Sequence, residues 1–76
     1  MANLAKLDCY SYHILPGIIS IELERSNDPI QVDILSEIDR ANGRIYLDGN
    51  YYISTGTECV NVRGKWYLDL KVTLTA

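Results

Sequence analysis

From Lys65 to Thr75 apolar and polar positions alternate. Trp66, Leu68, Leu70, Val72 and Leu74 fall on one side, and Lys65, Tyr67, Asp69, Lys71 and Thr73 on the other. A period of two marks a strand with one buried and one wet face. Ile18–Arg25 repeats the pattern, with Ile19, Ile21 and Leu23 set against Ser20, Glu22 and Glu24. Leu4–Ile14 is mixed, because Tyr10, Tyr12 and Ile14 share one parity and Leu7 and Cys9 the other. It is predicted as a strand that ends at the turn signal Pro16-Gly17. Arg44–Leu47 and Tyr51–Ser54 flank Asp48-Gly49-Asn50, a tight-hairpin sequence in which Gly tolerates positive φ. Thr55-Gly56-Thr57 predicts a kink or loop, Glu58–Val62 a short strand, and Arg63-Gly64 the turn into the final strand.

The segment Ile30–Ala41, after the loop Ser26–Pro29, supports two readings. As a helix, Asp28 would cap it, Pro29 would suit its first position, and Asn42-Gly43 would close it. Ile30, Ile34, Ile38 and Ala41 would share one face. As a strand, Ile30, Val32 and Ile34 alternate with Gln31 and Asp33, and β-branched residues favour extended backbone. Val32 would point away from the isoleucine stripe of a helix. That argues for the strand, with Ile30–Leu35 as the second arm of a hairpin and Glu37–Gly43 as a loop or single helical turn. The fold expected is therefore all-β, a small antiparallel barrel of five to six strands, OB-like. The alternative is α+β, with one helix at about residues 29–41 packed on an antiparallel sheet.

The chain has 76 residues, enough for one small domain over 1–76. A chain of this size hides only about 60% of the surface its unfolded form exposes, so a homodimer is expected as a supplement. Hydrophobic residues make up 47% and charged residues 22%, the balance of a folded domain. The formal net charge of −3 opposes a nonspecific nucleic-acid coat over the whole surface but permits a local basic stripe. Met1–Lys6 has no long apolar core, and no run approaches the roughly 20 apolar residues of a membrane span. Cys9 and Cys59 fit no metal or redox spacing and read as reduced thiols, so a cytoplasmic setting is expected.

The residues that could carry chemistry are scattered. His13 is the single histidine, and a strand that places Asp8 and Ser11 at its spacing makes no triad. Neither thiol has an activating neighbour other than His13. Glu22 and Glu24, with Asp33 across from them, would offer oxygen ligands to a metal, but a solvated face explains them as well. No phosphate-binding glycine motif or zinc motif occurs, so neither catalysis nor a cofactor is expected. One constellation has a use. Arg63, Lys65, Tyr67 and Lys71 cluster toward the last strand, with Tyr46, Tyr51 and Tyr52 on the neighbouring hairpin. Cations that track phosphates beside rings that stack on bases are what a single-stranded nucleic acid requires.

Gly49, Tyr51, Ile53, Val60, Gly64 and Leu68-Asp69-Leu70 follow the spacing of the small OB-fold single-stranded-DNA-binding proteins of filamentous phages. Ile21–Leu35, with Pro29, is similar to that family's strand–loop–Pro–strand. The chain thus resembles this family from about Ile19 to Leu74. The region of the family's basic, aromatic β-wing is shorter here and holds Tyr10, Tyr12 and His13. The resemblance implies a dimeric five-stranded barrel that coats DNA. The expected interface is Arg44, Tyr51, Tyr52, Arg63, Lys65 and Tyr67. The alternative is a small acidic module or phage-type inhibitor whose Glu22, Glu24, Asp33, Asp39 and Asp48 meet a basic protein partner.

Overall fold

A computed structural model describes residues 3–75. Six strands and one helix follow in the order β1 Ala5–Lys6, β2 Tyr12–Leu15, β3 Ile18–Leu23, α1 Pro29–Arg40, β4 Arg44–Leu47, β5 Asn50–Val62 and β6 Lys65–Leu74. The strands form one sheet in the order β1-β4-β5-β6-β3-β2. It is curled into a half-barrel, so the protein is mostly sheet with a small barrel-like fold. All pairings are antiparallel except β1 with β4, which is parallel over two residues and departs from the purely antiparallel expectation.

Three turns set the registers. At Asp48-Gly49 φ is 54° and 84°, and Arg63-Gly64 has the same values. Positive φ at both central residues is the type I′ geometry that matches strand twist. The turns close Leu47 on Asn50 and Val62 on Lys65. Arg63 takes a conformation that costs a non-glycine residue roughly 1 kcal/mol, and Asn61 Oδ1 offsets this by accepting from the Gly64 N–H at 3.1 Å. Leu15 and Ile18 meet around Pro16-Gly17, where Gly17 has φ of 79°.

Thr55-Gly56-Thr57 is neither a loop nor a break. β5 runs through it, and a register shift between Ser54 and Gly56 marks a bulge. An extra residue there bends the strand and increases its twist, which curls the sheet. Leu4–Ile14 is likewise not one strand. It divides into β1 and β2 around the buried Leu7, which explains the mixed parity.

The inward side of the sheet holds Ile19, Ile21 and Leu23 from β3, Ile45 and Leu47 from β4, and Leu68, Leu70 and Val72 from β6, all buried. α1 closes that side with Ile34 and Ile38. The preferred strand over Ile30–Leu35 is therefore corrected to a helix. Val32, which argued for the strand, is 64% exposed on the helix's solvent side. A β-branched residue there costs only a few tenths of a kcal/mol. Burying Ile34 and Ile38 contributes about 2 kcal/mol each, so packing outweighs local preference. Beyond Ala41, the Gly43 N–H donates to the Ile38 carbonyl at 2.8 Å and Asn42 and Gly43 have positive φ, closing the helix.

Asp28 starts the helix and ties it to β3. Its carboxylate accepts from the Glu24 N–H at 2.8 Å and from the Ile30 N–H at 3.0 Å. These two bonds, the Glu24 one foremost, hold its pKa below the ordinary carboxylate value. The folded-state pKa lies under the unfolded one. The stability it confers is thus complete above about pH 4 and is lost as pH falls through the folded value. Asp28→Asn keeps one cap acceptor and loses the charge and the second oxygen. We expect its thermal midpoint to fall by roughly 5 °C at neutral pH, the gap to wild type closing in acid. Melting curves from pH 7 to pH 2 check this, and a gap that persists in acid would contradict it.

Candidate nucleic-acid interface

The outward side of the sheet has two unlike halves that meet near the bulge. The first belongs to β1, β4, the start of β5 and the end of β6. Lys6 pairs across with Tyr46 and Tyr46 with Tyr51, while Arg44 pairs with Ile53 and Ile53 with Thr73. The Tyr46 and Tyr51 rings lie 4.8 Å apart at 51°. Tyr51 is 52% exposed. Lys71 is exposed beside Gly56 at the boundary. No Asp or Glu occurs in β1, in β4, in Asn50–Gly56 or in Lys71–Leu74. Every ionic side chain these stretches contribute is therefore a cation.

A cavity of about 250 Å³ opens on this half, lined by Leu4, Arg44, Tyr51, Ile53 and Thr75, with Ile45 and Tyr52 behind. Arg44 Nε is buried and has no hydrogen-bond partner among the described residues. A buried donor left unsatisfied costs about 1–3 kcal/mol, more when charged.

The second half belongs to β2, β3, the end of β5 and the start of β6. Leu15, Val60, Val62 and Tyr67 wall a groove of about 330 Å³. On its floor Ser20 Oγ donates to Asp69 Oδ1 at 2.7 Å. Glu58 stands directly across from Asp69. Glu22 is 3.8 Å from His13 Nε2 and 3.8 Å from Lys65 Nζ. Glu22, Glu58 and Asp69 would repel a phosphate here, and Lys65 already has an anionic neighbour.

The expected interface residues are thus divided. Arg44 and Tyr51 lie together on the first half. Lys65 and Tyr67 lie on the second, with Arg63 in the turn beyond. Tyr67 pairs with Val60, nine residues along β5 from Tyr51, a separation of about 30 Å. Tyr52 is corrected outright. It is 7% exposed, pairs with Ile45 on the inward side, and cannot stack on a base. Tyr46, Lys6 and Lys71 take its place. Tyr46 follows from the turn, since a two-residue type I′ loop sets Tyr46 opposite Tyr51. Lys6 rests on the parallel β1–β4 contact, which no local pattern announces.

The acidic residues of the alternative do not share a face. Glu22 lies on the sheet, Glu24 beyond β3, Asp33 and Asp39 on the exposed side of α1, and Asp48 in the β4–β5 turn. Beside α1, burial raises the phenol pKa of Tyr10, with Cys9 and the Glu37 carboxylate adding to it. Cys9 and Cys59 are free. Among the described residues no three His, Cys, Asp or Glu side chains are grouped to hold a metal ion, and no helix is long and apolar enough to cross a membrane.

Comparison with protein-family models, with curated proteins and with solved structures finds no match to this chain.

Proposed function

We propose that the chain is a binding module, not an enzyme, and that it takes single-stranded nucleic acid on the first half of its outward sheet face. The observation that carries this is the sorting of charge. Asp28, Asp33, Glu37 and Asp39 cap or lie on α1, and Glu22, Glu58 and Asp69 lie on the second half. The net charge of −3 therefore does not describe the strands around Tyr46 and Tyr51, where β1, β4 and Asn50–Gly56 contribute Lys6 and Arg44 and no carboxylate; Asp48 stands in the adjoining turn, and Lys71 borders Asp69 and Glu58 of the second half. Cations neutralise phosphates, and exposed rings stack on unpaired bases at roughly 1–3 kcal/mol each. The Gly49–Leu70 part of the resemblance to phage single-stranded-DNA-binding proteins favours the same reading, whereas its Ile21–Leu35 part falls on β3 and the helix α1 and not on two strands.

Titration of the protein with poly-dT, followed by tyrosine and tryptophan fluorescence across a salt series, tests it. With three cations engaged, log affinity should fall against log salt with a slope of about −2. No binding at low salt would end this reading. The exposed acids of α1, Asp33 and Asp39, would then be the surface to examine against a basic protein partner.

A further inference from the structure

We infer that the cavity bounded by Leu4, Arg44, Tyr51, Ile53 and Thr75 is a pocket for one unpaired nucleotide, with the phosphate on Arg44 and the base against Tyr51. This rests on the nucleic-acid reading and narrows it to a unit of recognition. Three observations converge. The volume, about 250 Å³, lies just below the roughly 300 Å³ at which drug-sized pockets begin, so it suits a single base and excludes a stacked pair. The lining combines apolar Leu4, Ile45 and Ile53 with Tyr51 and Tyr52, the surroundings a base prefers over water. The third is the orphaned Arg44 Nε, buried and without an acceptor among the described residues.

A phosphate oxygen meets the needs of that donor once the guanidinium turns toward the cavity, since Nε itself has almost no accessible surface. A guanidinium presents Nε and a terminal nitrogen as a fork to two oxygens of one phosphate, and such charge-assisted pairs are about twice as strong as neutral ones. Duplex bases are paired and stacked, so neither face is free for Tyr51. The pocket is therefore selective for unpaired strands by shape, with no base-edge contact required.

The test uses the full chain, ¹⁵N-labelled, titrated separately with dTMP, thymidine, inorganic phosphate and poly-dT. Binding of dTMP should move the amide signals of Arg44, Tyr51, Ile53 and Thr75, with thymidine and phosphate each weaker by roughly tenfold or more. Arg44→Met and Arg44→Lys should both lose the dTMP response while the remaining spectrum stays that of the folded chain, since neither presents the two-nitrogen fork of a guanidinium. If poly-dT binds but dTMP leaves these four signals unmoved, the pocket is refuted and the broader sheet reading stands. If dTMP and phosphate act alike, the site holds an anion only and the nucleotide assignment fails. If neither poly-dT nor dTMP binds, the sheet reading falls and the pocket with it.

Discussion

Leu70→Ala lowers unfolding free energy by about 3 kcal/mol, whereas Leu74→Ala, on the same side of the same strand, changes it by less than about 0.5 kcal/mol. Leu70 is fully buried at the centre of the sheet, paired with Ile19 on β3 and Thr57 on β5. Truncating it removes apolar contact and leaves a void that β6 cannot close, because β3 and β5 hold it on both sides. Leu74 is 64% exposed at the strand's end. A domain of this length has a total stability of roughly 4–11 kcal/mol, so the Leu70 variant loses a large share of it. Its midpoint should drop by roughly 15 °C in a thermal melt. Equal losses at the two positions would mean that α1 and the sheet do not enclose the core described.

That pair also shows what was readable in the sequence. Alternation in β6 told which residues share a side, since period two is a property of the strand alone. It could not tell where along the strand burial stops, because that depends on what lies above. Leu68, Leu70 and Val72 are buried in the core cluster that also holds Ile34 and Ile38 of α1, and Leu74 is not. The helix itself shows the opposite failure. Asp28, Pro29 and Asn42-Gly43 mark both its ends in the sequence, yet Val32 argues for a strand with a weight that a surface position does not carry. Local alternation over Ile30–Ile34 mimics a strand, and only the burial of Ile34 and Ile38 together decides between the two. The β5 bulge looks like a break in the sequence for a related reason. A glycine between threonines looks the same in both cases, and pairing with β6 across it is a nonlocal fact.

Tyr51→Ala weakens poly-dT binding by about 5- to 150-fold, the loss of one base stack, while Tyr67→Ala changes it by less than about twofold. Sequence grouped these tyrosines because both adjoin a Gly turn in the last third of the chain. Each hairpin points its own turn to its own end of the sheet, so nearness in sequence became a separation of about 30 Å. The charge around each ring then differs. Tyr51 has Tyr46 across from it, Arg44 on the same cavity and Lys6 one strand further on, whereas Tyr67 lies between Glu22 and Val60 with Asp69 on the same groove. A strand phosphate near Tyr67 meets carboxylates before it meets a free cation. The comparison needs no change in fold, since Tyr51 is exposed and Tyr67 half-buried, and matched melting curves verify it. Similar losses from both variants would show one strand running the length of the sheet. A loss at Tyr67 alone would move the interface to the second half and leave Arg44 without a role in it.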